Sequence, residues 1–346
     1  MIKSLKLKNF RNFEDIEFIF ENEKFFIVWE NWKWKTNILE ALSILNNNSI
    51  IWINFDMLVK NNENNFFIEY QNDDWKTLWI SYDKELKKKR FFVNKKTTSK
   101  KIFTENTNIS VIFSPIIMNI MYLSPSLRRD FLDQILINSF NNYDKLLSNY
   151  KKILKNRNKI LKNIRENKSK KEEINFWNQE FIKNAVEIYK YRLQLCDFFQ
   201  KHIKKSSEYF LWKIKNVDFE YQTKVNRDKI PDDIIKYLEK NFDRDIIMWT
   251  TSIWPHIDDF DIIIDNNRLV EFASRWETKS IIIWLKLLET AFIENITNKK
   301  PVLLIDDLLS ELDEKHKDIL INKIKYYQTF ITSISQVDKK NNFLNL

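Results

Sequence analysis

A chain of 346 residues contains no glycine and 12 tryptophans. At the ordinary share of glycine a chain this long carries roughly 24, so chance does not account for the gap. Glycine serves where the backbone needs φ > 0 or comes into contact with a ligand, and tryptophan is the poorest substitute for either role. The stretch Val28-Trp29-Glu30-Asn31-Trp32-Lys33-Trp34-Lys35-Thr36 becomes V-G-E-N-G-K-G-K-T when each Trp is replaced by Gly, and that is a complete phosphate-binding P-loop. A UGA codon that the source cell reads as glycine, rendered here as tryptophan, accounts for both facts. The abundance of Lys, Asn, Ile and Phe, as in an AT-rich gene, agrees with it. UGG codons at these positions would make the tryptophans real and place an indole beside the phosphate seat.

Apolar residues make up 44% of the chain and charged residues 30%, a globular rather than a disordered balance. The formal net charge of +9 invites an anionic partner, although an AT-rich gene raises lysine by itself. Cys196 is the single cysteine, which excludes an internal disulfide framework and a cysteine zinc site. His202, His256 and His316 lie far apart with no metal-ligand spacing. The longest apolar run, residues 281–288, is interrupted by Lys286 and is too short for a membrane span. The expectation is a soluble cytoplasmic protein with no membrane partner.

Periodicity gives the organisation. Leu5 and Leu7, then Ile16, Phe18 and Phe20, alternate with polar residues as two amphipathic strands. Residues 25–28 form a short apolar run, as for a buried strand feeding the P-loop, and residues 36–45 have helical spacing. Asp73-Asp74-Trp75-Lys76 reads as a hairpin turn if residue 75 is glycine. From Leu127 to about Lys205 the period is helical, with the polar stretch 166–173 as the turn of an antiparallel hairpin. Strand patterns return at Val217, Phe219 and Tyr221, at residues 260–264, at 302–305 and at 330–331. The expected organisation is residues 1–125 as the N-terminal part of an ATPase lobe, 126–274 as a second lobe with a helical arm, and 275–346 as the C-terminal part of the ATPase.

Three motifs carry chemistry. In a P-loop, backbone N–H groups form an anion nest at a helix N-terminus, the lysine reaches the β and γ phosphates, and the hydroxyl binds Mg²⁺. Lys35 and Thr36 take those roles, with Trp29, Glu30, Asn31, Trp32, Lys33 and Trp34 supplying the loop. Residues 302–307, V-L-L-I-D-D, have the form of a Walker B strand, in which Asp306 holds Mg²⁺ and Asp307 orients or deprotonates the attacking water. Phe272-Ala273-Ser274-Arg275-Trp276-Glu277, about 30 residues upstream, stands where an ABC-type signature motif stands. There Ser274 and residue 276 would meet the γ phosphate held by the opposite subunit, so that ATP joins two copies of the chain.

With these motifs the chain resembles the RecF family, over nearly its whole length. The resemblance rests on the opening L-K-N-F-R-N with Phe10, Arg11 and Asn12, and on the P-loop with its continuation through residues 36–41. It also rests on R-R-D-F-L-D at residues 128–133, on W-P-H-I-D-D at 254–259, and on the stretch from Leu303 to Asp313. Residues 328–332 are similar to the family's Q-x-F-I-T, where no ABC-type histidine stands. Trp249, Trp254 and Trp276 fall on family glycines, whereas Trp177 falls where the family often has a true tryptophan. Ile257 replaces an arginine, Arg275-Trp276-Glu277 replaces Q-G-Q, and Ser114-Pro115-Ile116-Ile117 lacks an acidic pair.

The resemblance implies an α/β fold, an ABC-type P-loop ATPase head with an inserted helical arm, and a cofactor set of ATP and Mg²⁺. It implies Arg11 and Asn12 as further nucleotide contacts. It also implies an ATP-dependent homodimer on gapped DNA at single/double-strand junctions, working with RecO and RecR to load RecA, with slow hydrolysis resetting the dimer. Lysine clusters at 87–90, 100–101 and 151–152 are candidates for the DNA footprint. The competing readings are another SMC-like ABC ATPase, whose arm should be far longer, and a nucleotide-free DNA-binding scaffold if the tryptophans are literal.

Overall fold

Among the residues that the computed structural model of the chain describes, 1–28, 32–46, 54–205, 216–252, 255–333 and 343–345, two compact units form. One comprises residues 1–118 and 298–346, the other residues 119–297. For residues 28, 32, 33, 333 and 343–345 only the backbone is described.

The first unit holds two sheets. Its six-stranded antiparallel sheet runs in the order Phe13–Ile19, Ile2–Phe10, Asn65–Asn72, Thr77–Asp83, Lys88–Val93, Lys96–Thr98. The expected alternation is realised here: Leu5, Leu7, Phe18, Ile68 and Ile80 face the core. The second sheet is parallel, in the order Phe343–Asn345, Lys24–Val28, Thr329–Ser333, Val302–Ile305, Ser110–Phe113. Its strands read as nearly continuous apolar runs because a parallel sheet is covered on both faces. The helix Trp32–Leu45 contributes Ile38, Leu39, Ala41, Leu42 and Leu45 to one apolar cluster shared with residues of both sheets.

That helix begins earlier than the spacing predicted. Glycine costs about 1 kcal/mol relative to alanine in a helix and tryptophan clearly less, so Trp32 and Trp34 extend the helix where glycines would favour loop. Trp34 then lays its indole edge-on against Phe13, with ring centroids 5.1 Å apart at 88°.

The turn expected at residues 73–76 is present. Trp75 adopts φ 56° and its side chain is 81% exposed, so it occupies a left-handed position with nothing to gain from its ring. Trp249 does the same in the second unit, with φ 52° at the C-cap of the helix Phe242–Met248, the position where helices most often end on glycine.

The second unit is mainly helical. Pro125–Ser139 is followed by Tyr143–Arg165 and Ile174–Ile203, two long helices that pack together across the turn at 166–173 as the helical hairpin anticipated from periodicity. A three-stranded antiparallel sheet pairs Asp259–Ile264 with both Val217–Gln222 and Asn267–Arg268. The 23-residue helix Arg275–Thr297 follows. No described helix is long and apolar enough to cross a membrane.

Candidate functional site

In the first unit, the parallel sheet brings together residues from distant parts of the chain. The strand Lys24–Val28 leads toward the P-loop, and Val302–Ile305 ends at Asp306, two strands away. Thr36 Oγ1 lies 3.3 Å and 3.5 Å from the two carboxylate oxygens of Asp306. Lys35 is fully buried, its Nζ 3.8 Å from Asp307 Oδ1. Burial raises the carboxyl of Asp306 above its ordinary range, and the charge of Asp307 adds to this, while hydrogen bonds from Thr332 and Thr36 act against it. Burial also raises Asp307, with Lys35 acting in the opposite direction. Asp307 Oδ1 is buried and accepts no hydrogen bond among the described residues.

The backbone here is strained. Asp307 adopts φ 49° and ψ 15°, a left-handed conformation that a residue with a side chain enters only when its surroundings hold it there. Its N–H donates to Thr332 Oγ1 at 2.8 Å. A hydroxyl and a carboxylate facing one another, beside a second buried carboxylate, are hard oxygen donors of the kind a divalent cation takes. Among the described residues no three His, Cys, Asp or Glu side chains form a self-contained metal cage. Thr36 and Asp306 are donors of a type that fits a divalent cation such as Mg²⁺.

Of the loop residues, Trp29, Glu30 and Asn31 lie outside the described residues, as does Trp254, and the side chains of Trp32 and Lys33 are not described. Arg11 sits in a turn at φ 53°, and its guanidinium makes a two-pronged bond to Glu40 of the P-loop helix, Nε and Nη2 each 2.9 Å from a carboxylate oxygen. Asn12 is exposed in the same turn. Glu40, which holds Arg11, carries no signal in the sequence beyond its place in the P-loop helix.

In the second unit, Ser274 precedes the helix Arg275–Thr297 and closes a capping box. Its N–H and Oγ both donate to Glu277 Oε2, at 2.8 Å and 2.6 Å, and its Oγ accepts from the Glu277 N–H at 3.2 Å. Trp276 is helical and half-buried. The S-x-x-E spacing of residues 274–277 is the sequence signal of this cap. Of the lysine clusters, residues 87–90, 100–101 and 151–152 are all exposed. Lys87 nevertheless pairs with Asp56, and Lys89 lies over the Phe55 ring.

The same unit joins two motifs that the sequence shows far apart. Arg128 binds Asp259 through Nε at 2.7 Å and through Nη2, and Arg129 Nη1 donates to the Asp258 carbonyl at 3.2 Å. Asp133 accepts from Tyr143 at 2.7 Å and from Arg192 Nη2 at 2.8 Å, while Arg192 Nη1 donates to the Pro255 carbonyl. His256 Nδ1 is 2.6 Å from the Tyr150 hydroxyl. Burial depresses the imidazole to about 4. Polar residues of the R-R-D-F-L-D stretch and of residues 255–259 are thus tied into one largely buried network.

No family model matches the chain. The DNA replication and repair protein RecF of Ruminiclostridium cellulolyticum is 31% identical over 344 residues, covering 96% of this chain and 92% of the relative. RecF of Thermoanaerobacter sp. strain X514 is 34% identical over 356 residues, covering 98% and 95%. Among solved structures, the recombination mediator protein RecF-ATP in the RecFOR pathway is similar with a TM-score of 0.86 and 28% identity, covering 98% of this chain and 93% of that one.

Proposed function

The chain belongs to the RecF family of DNA replication and repair proteins, and from that membership we propose that it acts as an ATP-dependent dimeric clamp on gapped DNA. Its fold is that of an ABC-type ATPase head, similar over nearly its whole length to RecF-ATP. On this reading Lys35, Thr36 and the loop backbone hold the triphosphate. Thr36 and Asp306 hold Mg²⁺, which supplies neutralisation of phosphate charge when bound. Asp307 orients the attacking water and accepts its proton. Ser274 and residue 276 contact the nucleotide of a second copy, so the bound nucleotide holds two chains together. The clamp would recognise single/double-strand junctions and act with RecO and RecR in loading RecA, with slow hydrolysis releasing it.

The observation that carries this reading is the meeting of Thr36 with Asp306 and of Lys35 with Asp307 across some 270 residues of chain. Sedimentation of the Trp29→Gly, Trp32→Gly, Trp34→Gly chain on gapped DNA tests it. ATP is expected to convert monomer to dimer, and Asp307→Asn to keep the dimer from dissociating as ATP is consumed. A monomer at saturating ATP overturns the clamp.

A further inference from the structure

Thr332 lies on the strand Thr329–Ser333, next to the Walker B strand Val302–Ile305 in the parallel sheet. Its side chain is fully buried. The hydroxyl is 2.9 Å from Asp306 Oδ1 and accepts the Asp307 N–H at 2.8 Å; the Ile305 carbonyl is farther away, at 3.4 Å. A hydroxyl has one proton to give and two lone pairs. The proton goes to the nearer and charged acceptor, Asp306, and a lone pair takes the Asp307 N–H.

We propose that Thr332 is a positioning residue that ties the two Walker B aspartates into one unit, holding Asp306 by its carboxylate and Asp307 by its backbone. The proposal deepens the ATPase reading of this site and rests on it. Two features of the geometry point to a tie rather than ordinary core packing. Asp307 is held in a left-handed conformation at φ 49°, and the Thr332 hydroxyl accepts the N–H of that residue. The bond to Oδ1 also fixes the carboxylate plane of Asp306, leaving Oδ2 among the described residues with only the long contact to Thr36 at 3.5 Å. Oδ2 is therefore the oxygen turned toward a cation, and its direction depends on Thr332, whose hydroxyl is engaged by Asp306 and the Asp307 N–H. Partners of this kind, one bond behind a metal ligand, alter metal affinity by about 10- to 100-fold when removed.

The test is a Mg²⁺ titration of fluorescent ATP-analogue binding in the Trp29→Gly, Trp32→Gly, Trp34→Gly background, alongside the affinity without Mg²⁺. Thr332→Val keeps the shape and removes the hydroxyl. It is expected to weaken the Mg²⁺ midpoint by about tenfold while the metal-free affinity, which depends on Lys35 and the loop, stays within about twofold of the parent. Thr332→Ser is expected to restore the parent midpoint. If Thr332→Val folds too poorly to assay, Thr332→Cys, a weak donor of similar size, is expected to show the same weakening in smaller degree. A parent-like midpoint in the Val or Cys variant, or failure of Ser to restore it, overturns the tie. A parent that binds the analogue with no Mg²⁺ dependence overturns instead the assignment of Asp306 and Thr36 as the metal's ligands.

Discussion

Two regions of this chain bury charge, and they do so in opposite ways. Around Arg192, in the helical unit, the polar groups bond to one another at short range: Tyr143 to Asp133 at 2.7 Å, Arg192 to Asp133 at 2.8 Å, Tyr221 to Asp258 at 2.9 Å. Around Lys35 and Asp306, in the unit with the parallel sheet, Thr332 bonds Asp306 at 2.9 Å, but Thr36 is 3.3 Å from Asp306, Lys35 is 3.8 Å from Asp307, and Asp307 Oδ1 accepts no hydrogen bond among the described residues. A buried network whose members are satisfied internally holds a fold together, whereas one left short of partners has room for a ligand's charges. By that measure the first region is a structural joint and the second the candidate binding site.

Removing a partner from the joint gives the largest expected effect. Arg192→Met leaves Asp133 buried without its cation, which destabilises by about 3–5 kcal/mol; denaturant melts should record it, and a neutral result would end the comparison. Acid probes the same joint next. The folded His256 has its pKa depressed from 6.5 to about 4, so the stability it contributes is present above pH 6.5 and is lost as pH falls toward 4, in total about 3 kcal/mol. His256→Asn should flatten that limb of the stability profile, and an unchanged limb would remove His256 from the joint. At the binding site, the combined Trp29→Gly, Trp32→Gly, Trp34→Gly change should raise ATP affinity at least about a hundredfold, near 2.8 kcal/mol, as read by calorimetry. Equal affinity in the two chains would show that the tryptophans do not obstruct the loop. The smallest contrast lies in the backbone: Trp75→Gly and Trp249→Gly should each stabilise by about 1 kcal/mol by relieving a left-handed residue of its Cβ, and a loss of stability in either would count against glycine there.

Much of the fold was legible in advance, but unevenly. The strands flanking the P-loop, the helical hairpin and its turn at 166–173, and the turn at residue 75 all followed from period and turn chemistry. The helix start at Trp32 did not, because glycines at 32 and 34 favour loop whereas the tryptophans present favour helix. Thr332 was the last letter of the Q-x-F-I-T stretch with no task of its own; only its strand's place beside the Walker B strand gives its hydroxyl one. Glu277 was read as a departure from a signature, and proves to close the cap on Ser274.

The sequence by itself determined the phosphate-binding motif, the Walker B acids, the RecF family and the anomaly of the glycines, since each is written in residue types at fixed spacing. Only the tertiary structure decided that Arg128 answers Asp259, that Arg192 spans from Asp133 to the Pro255 carbonyl, and that one threonine serves both aspartates. Local periodicity sets which face of an element is buried; which distant residue meets it there depends on strand order and helix packing, and these follow from the fold as a whole.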